Sequence, residues 1–199
     1  MKRPGISIIV PVLDEAGGIV QALERLQEFR ARGAEIIVVD GGSGDATVRL
    51  AQPLADCVTA AARGRGAQMN AGAGKASGGV LLFLHADTQL PPSAPDLIAA
   101  AIAGGARWGR FDVRIDGSSG GLALVAFMMN WRSRLTGIAT GDQAIFVTRE
   151  AFQACGGFPA IPLMEDIVFS DALRRVARPA CLGEKVTTSG RRWEKHGLL

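Results

Sequence analysis

The sequence predicts an α/β fold, built on a mostly parallel central sheet flanked by helices. Short β-rich apolar runs alternate with helical patterns through the first half, as βαβ units require. The run Val80 to Leu84 is continuously apolar, as in a strand covered on both faces. Acidic residues stand just past the ends of three such runs, where open α/β sheets bind their ligands.

The elements follow in order. Ile6 to Val10 reads as the first strand. Ile19, Ala22, Leu23, Leu26 and Phe29 recur at helical spacing until Gly33 stops the helix. Glu35 to Val39 is the second strand, and Asp45 is placed to cap a helix starting near Ala46. Arg63 to Asn70 opens a helix, and Val80 to Leu84 is the central strand. Ala94 to Ala103 is an alanine-rich helix, and Arg107 to Ile115 a strand that opens the second half. Gly117 to Gly121 reads as a mobile loop, Gly121 to Leu135 as a helix, Ala144 to Thr148 as a strand and Ile167 to Val176 as a helix. Short extended pieces then lead to a basic tail. With no repeat or linker, residues 1–199 are expected to form one domain.

Composition narrows the function. With 199 residues, 48% hydrophobic and 21% charged, the chain can bury a full core. A net charge of only +3 without a long basic run argues against a dedicated nucleic-acid binder, while a modest basic excess suits a phosphate ligand. Cys57, Cys155 and Cys181 are too scattered for a disulfide framework or a zinc site, so a reducing cytosol is expected. Lys2 and Arg3 before an apolar run look like the start of a secretory signal. Pro11 interrupts that run and Asp14-Glu15 close it, so a first strand is the better reading. Leu122 to Met129 falls short of the roughly 20 residues that cross a bilayer, so no spanning segment is expected. It is expected to pack into the core, with a surface-lying helix covering a lipid-linked acceptor as the alternative.

The strand-end acids are Asp14-Glu15, Asp40, and Asp87 after His85. One such aspartate alone is an ordinary turn former, but together they converge on one crevice. Asp40-Gly41-Gly42-Ser43-Gly44-Asp45 is a turn of small residues that lets a ligand approach the backbone. It has neither GxGxxG nor GxxxxGK[ST], so a dinucleotide fold and a P-loop are disfavoured. Arg63-Gly64-Arg65-Gly66 sets two guanidinium groups at a helix start, which suits a diphosphate or simply makes a solvated basic loop. His85 and Asp87, two apart on a strand, point to one side and can hold a divalent cation; a strand-end histidine is also a common structural residue. Glu165-Asp166 begins an amphipathic helix, where Asp166 is either a general base or a carboxylate favoured by the helix dipole. Arg191-Arg192-Trp193 and His196 form a basic-aromatic tail, either a flap over phosphates or a frayed terminus.

In this order these residues resemble glycosyltransferase family 2, with its GT-A, Rossmann-like fold. Ser7 to Glu15 looks like the family's opening strand and nucleotide-contacting acid, and Ile36 to Thr47 like its VVDGGSxDxT segment. LHADT and RRWEK are similar to a small bacterial group, the radical-SAM/selenodomain-associated transferases. The resemblance implies a nucleotide-binding half over about 1–90 and an acceptor half over about 91–199. Pro11, Asp14 and Glu15 would meet the nucleotide and Asp40 and Gly41 its base, while Arg63, Arg65, Gln68, Asn70 and Ala86 would line the cleft. Glu165-Asp166 would be the ED motif carrying the base. Gly141-Asp142-Gln143 would be the acceptor-side loop, and Arg191-Arg192-Trp193 the late arginine-tryptophan element. With the sequence ending at Leu199, the helical extension relatives carry after that element is expected to be missing.

The implied activity is an inverting transfer of a sugar from a nucleotide-diphosphate donor, with a lean to UDP, to an acceptor hydroxyl. Mn2+ or Mg2+ would assist, held by Asp87 and His85, and by His196 if the tail folds over the cleft. The family's DxD motif carries His85 at its first acidic position here. A cytoplasmic protein is expected, with attachment to the inner membrane face as an option. The rivals are a catalytically silent nucleotide-sugar scaffold and, lower, a nucleotidyltransferase, whose long Gly-rich, lysine-bearing loop is absent after the first strand. A phosphatase read from the letters HAD lacks its strand-end nucleophile pair.

Overall fold

A computed structural model describes residues 5–117 and 121–190. Strands β1 (Ile6–Val12), β2 (Glu35–Asp40), β3 (Cys57–Ala60) and β4 (Val80–Phe83) form the first half of an eight-stranded sheet. Strands β5 (Thr88–Gln89), β6 (Trp108–Asp116), β7 (Phe146–Thr148) and β8 (Ala180–Ser189) complete it, in the order β3-β2-β1-β4-β7-β6-β8-β5. The helices are α1 (Ile19–Glu24), α2 (Gln27–Ala31), α3 (Thr47–Ala51), α4 (Arg65–Lys75), α5 (Ala94–Ala103), α6 (Gly121–Thr136), α7 (Arg149–Ala154) and α8 (Glu165–Val176).

The first four strands are parallel, as expected, and β4 lies at the centre. The second half is mixed: β6 pairs with β8 in parallel, whereas β7 runs antiparallel to both β4 and β6, and β5 antiparallel to β8. The sheet is therefore mixed rather than purely parallel, with four parallel pairings, β1-β2, β1-β4, β2-β3 and β6-β8, against three antiparallel ones. Strand direction leaves no mark on a three-residue apolar run such as Phe146–Thr148, so the pattern alone could not assign it. The predicted helix over residues 19–29 is two helices, broken where the Leu26 amide bonds the Leu23 carbonyl at 3.0 Å. Its apolar stripe survives the break, because Ile19, Leu23, Leu26 and Phe29 are all buried.

Alternation along the strands makes two cores. Ile8, Val10, Ile36, Val38 and Leu82 face Ile19, Leu23, Phe29 and Ile98. Ile9, Ile37, Val39, Leu81 and Phe83 face Met69 of α4 and Phe169 and Leu173 of α8. Gly72 lets α4 sit tight on the sheet, since a Cβ there would lie 2.5 Å from Ile9 Cγ2. That close approach brings the α4 start to the ends of β1 and β2. On α6, Leu122 and Ala126 are buried, but Leu124, Phe127 and Met128 are exposed, correcting the expectation that Leu122–Met129 packs into the core. No described helix is long and apolar enough to cross a membrane.

Candidate active site

Parallel β1, β2 and β4 end at one edge, so the loops after them meet there. The first two loops knit together. The Asp14 amide donates to Ser43 Oγ at 2.9 Å, and the Gly44 amide returns a bond to Asp14 Oδ1 at 2.8 Å. Asp14 adopts a left-handed backbone, φ 53°. The Glu15 amide donates to Thr47 Oγ1 at 2.8 Å and the Ala16 amide to Asp45 Oδ2 at 3.0 Å. Bonds from the Thr47 hydroxyl and amide hold the Asp45 carboxyl below its ordinary value. Asp40 is buried and accepts from the Gly42 and Ser43 amides, each at 3.0 Å, while the Gly41 amide bonds the Val12 carbonyl. Asp14, Asp40 and Asp45 thus organise loops.

Beyond this edge lies a cleft of about 580 Å³. Pro11, Val12, Leu13 and Glu15 form one wall, Arg63, Gly64, Arg65 and Gln68 a second, and His85, Ala86, Asp87 and Asp142 a third; Pro162, Leu163 and Ser189 close it. Gln68 is buried at the floor, its Nε2 donating to the Val12 and Val39 carbonyls, each at 2.8 Å. Asn70 points elsewhere, exchanging bonds of 2.9 Å with the Phe158 carbonyl and amide. Arg65 Nε pairs with Glu165 Oε1 at 2.7 Å, fixing the start of α8 against α4. Glu165 is 1% exposed, and its Oε2 is buried without a partner among the described residues.

The opposite wall is tied together as closely. His85 Nδ1 lies 3.3 Å from Asp142 Oδ1. Gly141 packs its Cα against the same imidazole, where a Cβ would come within 2.4 Å of His85 Cε1 and Nε2. The Gly141 amide donates to Asp166 Oδ2 at 2.6 Å, and the Ile167 amide to Asp166 Oδ1 at 2.8 Å. Gln143 is buried and structural, accepting from the Thr140 amide and donating to Asn130 Oδ1. Met164, before Glu165, has φ 63°, a left-handed turn that aims the start of α8. Arg191, Arg192, Trp193 and His196 lie outside the described residues, as do residues 118–120 of the expected loop.

A divalent cation fits one side chain here. Asp87 is exposed on the cleft wall, where the Thr88 hydroxyl lies 3.5 Å from its carboxylate. His85 is hemmed in by Asp142 and Gly141, and no group of three described His, Cys, Asp or Glu residues is placed to hold an ion. One carboxylate suits Mg2+ or Mn2+, which bind through one or two carboxylates and complete their shell with substrate phosphates and water.

The lip Pro162-Leu163, and Ser189 at the end of β8, are cleft residues that the sequence does not reveal. Neither carried a signal, since residues 159–164 have no periodicity, and exposed Gly183, Glu184 and Lys185 interrupt the β8 pattern.

Comparison with known proteins fits this geometry. The model of glycosyl transferase family 2 matches residues 7–149. An uncharacterized glycosyltransferase of Mycobacterium tuberculosis strain H37Rv, Rv1514c, is 35% identical over 109 residues, which is 51% of this chain and 40% of that protein. The structure of Staphylococcus aureus TarS 1-349 in complex with UDP-GlcNAc superposes with a TM-score of 0.75 at 19% identity, covering 93% of this chain and 58% of that 1-349 chain. The mannosyltransferase PcManGT of Pyrobaculum calidifontis, solved with GDP-Man and Mn2+, gives 0.69 at 20% identity, over 94% of this chain and 57% of its own. The chain thus spans well under two thirds of these relatives.

Proposed function

This chain belongs to glycosyl transferase family 2, and from that premise we propose that its cleft transfers a sugar from a nucleotide-diphosphate donor to an acceptor hydroxyl. The observation that carries the proposal is convergence: Glu15, two arginines and Asp87 line one cleft, and Asp166 is fixed beside its Asp142 wall through the Gly141 amide. The nucleotide half is about residues 1–90 and the acceptor half about 91–199, and LHADT and RRWEK support membership of the radical-SAM/selenodomain-associated transferase group. The known complexes of TarS with UDP-GlcNAc and PcManGT with GDP-Man support a nucleotide sugar, with UDP favoured here.

In this reading the donor's diphosphate lies along Arg63 and Arg65, whose guanidinium forks match phosphate oxygens. Pro11, Glu15 and Ala86 border the nucleoside. Asp14, Asp40 and Gly41 shape the loop that receives it, and Gln68 and Asn70 hold the cleft's framework. Asp87 would hold Mn2+ or Mg2+ against the diphosphate, and His196 would approach from the tail. The cation, when bound, neutralises charge on the leaving diphosphate. Asp166 Oδ2 keeps a lone pair beside the one taken by Gly141, and there it accepts the acceptor's hydroxyl proton. The freed oxygen attacks the anomeric carbon from the face opposite the leaving group, so configuration inverts. Glu165 keeps Arg65 aligned; His85 and Gln143 position the Gly141-Asp142 wall; Arg191, Arg192 and Trp193 would cover the phosphates. A cytoplasmic setting, with attachment at the inner membrane face as an option, belongs to the same reading.

The test is release of nucleoside diphosphate from a panel of UDP- and GDP-sugars with Mn2+. Turnover of one donor supports transfer; tight nucleotide binding with no turnover of any donor favours the silent scaffold, a reading to which His85, held by Asp142, gives some ground.

A further inference from the structure

Helix α6 carries an apolar stripe that the fold leaves uncovered. Leu124, Phe127, Met128, Trp131 and Leu135 follow at three- and four-residue spacing, and each is 57 to 69% exposed. Phe127 and Trp131 stack with centroids 6.4 Å apart, an aromatic pair presented to solvent. The helix is held by its other face. Leu122 and Ala126 are buried, and Asn130 clamps β6 by accepting from the Val113 amide at 2.8 Å and donating to its carbonyl at 2.9 Å. The exposed stripe is not needed to keep α6 in place.

The charge beside the stripe says what covers it. A groove of about 490 Å³ runs between α6 and β6, with Phe127 and Trp131 on it and Arg114, Arg134 and Lys185 around it. Its single carboxylate, Asp112, is shared by Arg110, which is fully buried, and Arg134. Among the described residues no carboxylate lies within ion-pair distance of Arg114, Arg132 or Lys185. A second copy docked here about a two-fold axis would set the same cations against one another. An anionic bilayer meets both halves: aromatic and aliphatic side chains enter the interface, and the cations meet lipid phosphates.

We propose that α6 docks the protein on an anionic lipid bilayer, with its apolar stripe in the interface and Arg114, Arg132 and Lys185 against the headgroups. The helix ends at Thr136, and only Gly137 to Thr140 separate it from Gly141 and Asp142 at the cleft. Docking therefore holds the acceptor side of the cleft near the membrane surface. The proposal goes beyond the transfer reading and does not depend on it, because docking needs no turnover.

Flotation of the full chain with vesicles of phosphatidylcholine and phosphatidylglycerol (3:1), against vesicles of phosphatidylcholine alone, tests it. The wild type should float with the anionic vesicles, and Phe127→Ser/Trp131→Ser should stay at the bottom. Arg132→Gln/Lys185→Gln should weaken partitioning by about fivefold for each cation removed. Leu124→Gln/Met128→Gln, which alters the same exposed stripe, serves as a second variant should the aromatic one misfold. Failure of the wild type to float, flotation equal for all variants, or sedimentation as a dimer that these variants dissociate would each overturn the proposal; the last would assign the stripe to a second copy.

Discussion

The Gly141 amide donates to Asp166 Oδ2 at 2.6 Å, and so ties the loop bearing Asp142 to the first turn of α8. A carboxylate held in place by two amides, Gly141 on Oδ2 and Ile167 on Oδ1, with lone pairs to spare, can take a proton in a fixed direction. Asp166→Asn should lower transfer by about 10²–10⁴-fold while nucleotide binding is kept. Single-turnover assays beside calorimetric binding separate the two quantities, and retained turnover would remove Asp166 from the reaction.

Gly141 is a position in the cleft wall where a single added carbon should do harm. A Cβ there meets the His85 ring at 2.4 Å, so Gly141→Ala must displace the loop or the imidazole. We expect a stability loss of about 1–3 kcal/mol by denaturant unfolding, as for overpacked cores. His85→Ala in the Gly141→Ala background should recover part of it. If the losses simply add, the two groups are not packed as described.

Arg65 and Glu165 make a second double-mutant pair. Arg65→Met leaves the Glu165 carboxylate, 1% exposed, with neither oxygen paired, which should cost about 1–3 kcal/mol. Adding Glu165→Gln should restore stability but not affinity for a nucleoside diphosphate. Recovery of both would mean that Arg65 serves the fold alone.

These positions also show what the sequence could tell. The strand-end acids, the two arginines and the cleft between them were legible because parallel strands of β-rich runs must end at one edge. Which acids face the cleft was not. Asp14, Asp40 and Glu15 carry the same charge at strand ends, yet hydrogen bonds from Gly44, Gly42 and Ser43 draw Asp14 and Asp40 into the loops, while Glu15 lines the cleft. The contact of Gly141 with His85 joins residues 56 positions apart and leaves no periodicity to read. The same holds for β8, whose exposed middle hides its pairing with β6.

Acid should loosen the far edge of the sheet through Glu35. Burial pushes its carboxyl up, but bonds from the Ser7 hydroxyl and from the Ser77 amide and hydroxyl outweigh this and hold it below its ordinary value. A carboxyl lowered by folding adds stability that is complete above the unfolded group's value and is lost as pH falls through the folded one. The wild type should therefore lose more stability than Glu35→Gln between neutral and acid pH. Parallel urea unfolding curves would check it, and equal slopes with pH would place the sensitivity elsewhere.

The most direct test of the whole account is calorimetric titration with UDP, GDP and other nucleoside diphosphates, with and without Mn2+, in wild type and Asp87→Ala. The account predicts that one nucleotide binds tightly only with Mn2+ and that Asp87→Ala abolishes this enhancement; absence of binding by any nucleotide, or Mn2+ enhancement that survives in Asp87→Ala, would contradict it.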